Sequence, residues 1–273
     1  MIVAFRHGYF PLNERSRLKG EAAFQAMEHS IPTDADATMD LLPEGREQAY
    51  RMQPVLAELA IYACLRSPAL RTKTMAEIAL AGHSLPGGTH VVPELRERSR
   101  GIFSYAPDAW AKAQPGYPPK KSVLDWQPSG VDYNGNAGES IRQVRDTRVL
   151  PVLQAADEIV PPGETVAFST HAGWMLSLRA YYLAFGDERF RQPLIPDPPQ
   201  DHPALATAKS IINGQMDMYD CTCPTPALAS SSQRHMDVFR TVITEPGLEF
   251  DTGWLCIGDM DGSCKDQSMP KVH

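Results

Sequence analysis

At 273 residues, with 42% of them hydrophobic and 22% charged, the chain has the length and composition of a soluble globular protein with a sizeable core. A net charge of -7 and a pI near 5.6 set its surface against nucleic acid and acidic membranes, so any anion it binds must be captured by a local cluster of base. No run approaches the roughly 18 to 20 apolar residues of a membrane span, and no secretory signal opens the chain, so the cytoplasm is the expected compartment.

The first element is a short buried strand, "IVAF", broken at once by Arg6, His7 and Gly8. Two cationic or titratable groups on a flexible backbone at a strand end predict an anion site. Apolar residues at helical spacing in "GREQAYRMQPVLAELAI" predict a helix reaching Ile61, bent at Pro54. "YACLRSPALRTKTMAEIAL" predicts a strand to Cys64, a turn at Ser67-Pro68 and a helix through Leu80. "ESIRQVRDTRVLPVLQAADEIV" predicts another helix. "ETVAFSTHAGWMLSLRAYYLAF" then predicts a strand, a turn and a helix, which repeats the opening pattern. Further on, "SIINGQMDMYD" has strand character and "RQPLIPDPPQDHPAL" reads as an extended connection. "DMDGSCKDQS" lacks the glutamate that closes a calcium loop and reads as a polar turn.

Strands alternating with helices argue for an α/β fold with a mainly parallel sheet. In such a sheet the strand C-termini share one edge, and ligands bind there. His7 and His171 each follow an apolar strand and stand ahead of a glycine, Gly8 and Gly173, so the two are expected to meet. Cys64, Cys221, Cys223, Cys256 and Cys264 are too scattered for a disulfide framework, and the C-x-C pair lacks the spacing of a zinc knuckle.

"RHGYFPLNERSRLKG" resembles the signature of the histidine phosphatase superfamily, the phosphoglycerate mutase-like proteins, at Arg6, His7, Gly8, Asn13, Arg17 and Gly20. "LLPEGREQA" is similar to a helix entry of that family, with Pro43 where threonine is common. "SPALRTKTMAEI" places Ser67, Arg71 and Ala76 on matching positions, whereas Ala69 and Met75 depart. "ELRERSRG" resembles the stretch that carries the family's acid, at Glu97. "GESIRQVRDTRVLP" matches a Gly-Glu-Ser helix start at Gly138, Glu139 and Ser140. "VAFSTHAGWM" resembles the second-histidine block, with Thr170 added and Ala172 in place of a glycine. The likeness spans roughly residues 1 to 220.

The resemblance implies a three-layer α/β/α fold around a mainly parallel sheet. One histidine phosphatase domain is expected over residues 1–273, in which the long segment at 98–137, rich in proline, glycine and aromatics, reads as a lid insertion and residues 221–273 as a C-terminal extension of unknown role. It makes His7 the nucleophile that becomes phosphohistidine. Arg6 and Arg71 then clamp the phosphate, His171 completes the pocket, and Glu97 is the general acid. The residue chemistry agrees. Neutral imidazole is available as a nucleophile near neutrality, and arginine presents a planar fork to phosphate oxygens that lysine does not. Glu94 stands close enough to be the acid instead, and Glu97 also reads as a partner of Arg96, Arg98 or Arg100. Asn13 reads as a phosphate ligand, a turn residue or a helix cap.

Arg17, Lys19 and Gly20 fall on the substrate side of the implied pocket. Lys19 replaces the threonine or serine usual in the mutases. Lys120 and Lys121, in the long segment after Glu97, either contact a second acidic group of the substrate or form a solvated pair. Trp110, Tyr117, Trp126 and Tyr133 either line an aromatic wall or pin that segment to the body. The expected activity is that of a phosphoric monoester hydrolase of the histidine acid phosphatase type, acting on a small phosphorylated metabolite. No metal or cofactor is expected, and neither nucleic acid nor a membrane is an expected partner. A phosphoglycerate mutase-type phosphotransferase is the alternative, with a non-catalytic phospho-ligand binder behind it. "RLKGEAAF" lacks the mutases' tryptophan, which favours the phosphatase.

Overall fold

Ile2 to Phe5 carry no polar break, so both faces of the strand they form must be covered, as in a parallel strand of an α/β sheet. In the computed structural model of the protein this strand, β1 (Ile2–Arg6), lies with β2 (Ile61–Arg66), β3 (Gly88–Val91) and β4 (Thr165–Thr170). The four run parallel in the order β3, β2, β4, β1. The structure describes residues 1–115, 117, 125–183, 215–220, 238–245, 248–251 and 255–256.

Helices flank the sheet. In chain order they are the short α1 (Pro11–Ser16), α2 (Glu21–Gln25) and α3 (Ala35–Thr38), then α4 (Pro43–Leu56), α5 (Leu70–Ala79), α6 (Asp108–Ala113), α7 (Ile141–Val144), α8 (Leu150–Ile159) and α9 (Ala172–Leu183). Successive strand residues point to opposite faces. Val3, Phe5, Cys64 and Ala167 therefore pack against Met52 and Leu56 of α4 and Met75 and Ala79 of α5. Ile2, Ala4, Leu65 and Phe168 pack on the other side against Val152 of α8 and Trp174 and Leu178 of α9. Three layers result, as expected. Among the described residues no helix is long and apolar enough to cross a membrane.

Two expectations shift. The helix expected to reach Ile61 stops at Leu56, within a turn of Pro54, and Ile61 opens β2. Proline lacks the N–H that the helix needs and crowds the carbonyl four residues back. The helix expected over Ser140 to Val160 carries a widened π-turn at Arg145–Val149 between α7 and α8.

The strand character near residue 215 is realised as β5 (Gln215–Asp220), antiparallel to β1. Beyond it β6 (Val238–Glu245), β7 (Leu248–Asp251) and β8 (Leu255–Cys256) extend the same sheet with antiparallel pairing. The expected proline-rich connection and polar turn lie outside the described residues, as do Cys221, Cys223 and Cys264.

Candidate active site

Strand pairing places the site. Arg6 is level with Thr170 across the parallel β1 and β4, so His7 and His171 stand side by side just past the two strand ends. The backbone N–H of His7 donates to the Thr170 carbonyl at 3.1 Å, and the imidazoles meet with centroids 5.0 Å apart. β2 flanks β4 on its other side, and Ser67 N–H donates to the Ser169 carbonyl at 3.0 Å. The start of α5 then swings Arg71 over the same edge. Three neighbouring strand ends thus assemble His7, His171, Ser67 and Arg71.

His7 is fully buried, and its Nδ1 lies 2.8 Å from the Gly8 carbonyl. A carbonyl only accepts, so Nδ1 carries the proton and Nε2 keeps its lone pair. Nε2 has no hydrogen-bond partner among the described residues. Burial, then the charges of Arg71 and Arg6, hold His7 well below the ordinary histidine pKa. The ring is neutral at neutral pH.

Gly8 is required by a close approach. A Cβ there would lie 2.3 Å from the Gly45 carbonyl, and one on Gly45 would lie 2.2 Å from the Tyr9 carbonyl. Two glycines let the start of α4 touch the histidine loop, and Gln48 on α4 accepts from Tyr9 N–H at 2.8 Å. This gives "LLPEGREQA" its physical role. Pro43 suits it, because a first helical position needs no N–H.

His171 is held from both sides. Arg71 Nη2 is 3.3 Å from its Nδ1, and an arginine only donates, so Nδ1 accepts and Nε2 carries the proton, 2.9 Å from Ser67 Oγ. Both ring nitrogens are therefore engaged within the protein. Burial, followed by Arg71, holds this histidine well below its ordinary pKa as well.

Arg71 is wholly buried and lies over the Phe10 ring, 4.4 Å from its centroid. Its Nη1 pairs with Asp36 Oδ1 at 2.7 Å, and its Nη2 reaches Tyr105 Oη at 3.4 Å. Asp36 also accepts from Tyr133 Oη and from Asn134 Nδ2, each at 2.9 Å. Burial raises the Asp36 carboxyl, but Arg71 and the three hydrogen bonds outweigh it and hold it below the usual value. Burial pushes the Tyr105 phenol up to about 12, so it remains a neutral hydroxyl. Tyr105 holds a φ of 53°, a region that side-chain-bearing residues rarely adopt.

Glu97 meets the start of α9. Its Oε1 accepts from the backbone N–H groups of Arg98 and Gly173, both at 2.8 Å. It is not the partner of Arg96, which pairs with Glu139 at 3.0 Å. Thr170, the added residue, ties this loop to the sheet by donating through Oγ1 to the Leu95 carbonyl at 2.8 Å.

The remaining expected residues divide. Arg6 closes β1 beside His7, half-buried, and its charge acts on both histidines. Asn13 caps α1, accepting from Phe10 N–H through Oδ1 at 3.1 Å, so that oxygen serves the loop. Arg17, Lys19 and Gly20 are exposed, and Arg17 stacks over the Tyr9 ring at 4.6 Å. Gly20 has a φ of 57° and makes the turn into α2. Lys120 and Lys121 lie outside the described residues.

In the long segment after Glu97, Trp110, Tyr117 and Trp126 pack around Phe103, while Tyr133 packs on Tyr105 beside the site. Asp36, Tyr105 and Asn134 belong to no motif read from the sequence. Ser67 and Glu139 stood on family positions without an assigned role.

With this geometry in place, the sequence profile of the histidine phosphatase superfamily (branch 1) matches residues 2–198. The chain belongs to the histidine phosphatase superfamily. Solved structures share the fold of this histidine phosphatase chain at low identity. Mycobacterial hydrolase 2 is 19% identical with a TM-score of 0.59, and the alignment covers 87% of this chain and 88% of that one. Mycobacterial glucosyl-3-phosphoglycerate phosphatase in complex with VO3 is 19% identical with a TM-score of 0.54, covering 80% and 92%. The alpha-ribazole phosphatase of Shigella flexneri is 18% identical with a TM-score of 0.51, covering 80% and 89%. No curated protein sequence matches the chain.

Proposed function

We propose that this chain is a phosphomonoester hydrolase that works through a phosphohistidine on His7, with a small phosphorylated metabolite as substrate. The observation that carries the reading is the buried, neutral His7, whose Nδ1–H is committed to Gly8 while Nε2 retains an unshared pair. Nε2 attacks phosphorus in line, and the bond from phosphorus to the ester oxygen breaks. Arg6 and Arg71 hold the equatorial oxygens and supply the positive charge that a divalent cation supplies in other phosphoryl-transfer sites. Glu97 enters the cycle protonated on the carboxyl oxygen that does not accept from Arg98 and Gly173, and it gives that proton to the departing alkoxide. Its carboxylate then takes a proton from water, the resulting hydroxide attacks phosphorus, the P–N bond breaks, and inorganic phosphate leaves with His7 restored.

A bound phosphoryl group competes with His171 for Arg71 Nη2, while the His171 Nε2–H stays on Ser67 Oγ. The test is phosphate release from p-nitrophenyl phosphate and a panel of sugar phosphates and phospho-acids, in EDTA, with His7→Ala beside the native protein. The account expects turnover that His7→Ala abolishes. Turnover surviving in His7→Ala overturns it, and turnover appearing only as transfer from a bisphosphate primer would assign a phosphotransferase instead.

A further inference from the structure

We infer that Glu139 is a positioning residue for Glu97, keeping the proton-transferring carboxylate in place by occupying the arginines that would otherwise capture it. The inference rests on the reading of Glu97 as general acid and base.

Arg96 and Arg98 flank Glu97 in sequence, and Arg148 reaches the same loop from the π-turn before α8. Glu139 gathers all three. Its Oε1 accepts from Arg96 Nη2 at 3.0 Å, and its Oε2 accepts from Arg148 Nη2 at 2.9 Å and Arg96 Nη1 at 3.3 Å. Its backbone carbonyl takes Arg98 Nη1 at 3.1 Å. Oε2 also accepts from Ser99 N–H at 2.8 Å, which fixes the loop behind Glu97. Arg148 fixes it in front, donating through Nη1 to the carbonyls of Arg96 at 2.7 Å and Glu97 at 3.4 Å.

The consequence falls on Glu97. With three neighbouring guanidinium groups engaged elsewhere, its carboxylate is held by two backbone N–H groups and makes no ion pair among the described residues. A carboxylate locked in a bidentate arginine pair is a poorer proton carrier and sits in a different place. Gly138 seats the device, because a Cβ there would lie 2.0 Å from the Pro128 carbonyl. Ser140, next in line, caps α7 by accepting from Gln143 N–H at 3.1 Å.

A merely structural cluster and a positioning residue differ in one readout. Proton donation matters for an alkoxide leaving group and little for p-nitrophenolate, which leaves without help. The experiment compares kcat/KM on p-nitrophenyl phosphate with kcat/KM on an alkyl phosphate that the native protein turns over, for the native protein, Glu97→Gln and Glu139→Gln. Glu139→Gln is expected to lose at least about tenfold on the alkyl ester and under about threefold on the aryl ester, with Glu97→Gln showing the same selectivity at greater depth.

Should Glu139→Gln not fold, Glu139→Asp draws the carboxylate back from Arg96 and Arg148 and carries the same expectation. Equal losses on both esters in the Glu139 variant, or no loss, beside a selective Glu97→Gln, would overturn the inference and leave the reading of Glu97 standing. An unselective Glu97→Gln would overturn both.

Discussion

Gly173→Ala tests the placement of Glu97 without touching a charged group. A Cβ on Gly173 would lie 2.6 Å from Glu97 Oε1 and 2.5 Å from Arg98 Cβ. Ordinary contact begins near 3.4 Å, so the carboxylate oxygen must retreat by about 0.8 Å. Retreat lengthens the 2.8 Å bond from Gly173 N–H, and a hydrogen bond to a charged acceptor contributes about 1.5–3 kcal/mol. A misplacement of this size at a proton-transferring group costs about 10²-fold in rate.

Stability should fall as well. The overlap with Arg98 Cβ adds about 1–3 kcal/mol to the weakened hydrogen bond, offset by about 1 kcal/mol from replacing glycine with alanine in a helix. The assay is kcat/KM on alkyl and p-nitrophenyl phosphates, with a thermal melt as control. The expected result is a loss of about 30- to 100-fold on the alkyl ester and under about fivefold on the aryl ester. The melt should fall by roughly 3 to 20 °C, at about 2–4 °C per kcal/mol. Native turnover of the alkyl ester by Gly173→Ala would refute the reasoning.

Gly45→Ala drives a Cβ into the Tyr9 carbonyl at 2.2 Å, and backbone cannot rotate away as a side chain can. It should cost about 3 kcal/mol or more in denaturant unfolding, and an unchanged midpoint would contradict the close approach of α4. Arg71→Lys keeps the charge but forfeits the fork to Asp36, Tyr105 and His171, so inhibition by phosphate or vanadate should weaken by at least about tenfold. Unaltered inhibition would remove Arg71 from the clamp.

Stability should also fall in acid. His7 and His171 have native pKa values below the ordinary value of about 6.5, so below that pH the unfolded chain binds protons that the native one does not. The contribution is complete above about pH 6.5 and declines as pH falls from there toward the native values. The slope is at most about 1.4 kcal/mol per pH unit for each histidine. Melts from pH 7.5 to 5 on native protein and His171→Asn should show a flatter slope in the variant, and identical slopes would contradict the linkage.

The parts of the site that lie at strand ends were legible, because alternating strands and helices imply a parallel sheet whose ends converge. His7 and His171 repeated one local pattern, and β1 and β4 prove to be neighbours in register. Arg71 and Glu97 came from the family motifs alone, and in the structure each follows a strand, β2 or β3, by a few residues. What the motifs could not carry is side-chain pairing between distant loops. Asp36 meets Arg71 across 35 residues and Tyr133 across 97. Neither contact leaves a periodic trace.

Tyr105 was hidden differently, because a positive φ without glycine announces itself only through the packing that enforces it. The edge strands β6 to β8 were missed because their partners are set by antiparallel pairing at the far side of β5, which no local run in the tail specifies. For Asn13 the family position implies a ligand and local chemistry also allows a cap, and in the structure its Oδ1 accepts from Phe10 N–H at the start of α1.

The central claim is that phosphorus passes through His7 Nε2. The most direct measurement is rapid-quench mass analysis of the protein mixed with p-nitrophenyl phosphate, with the modified peptide mapped. The account predicts one phosphoryl group on His7, formed no more slowly than kcat and absent from His7→Ala. Turnover of native protein at full rate with no phosphorylated His7 at any time would contradict it.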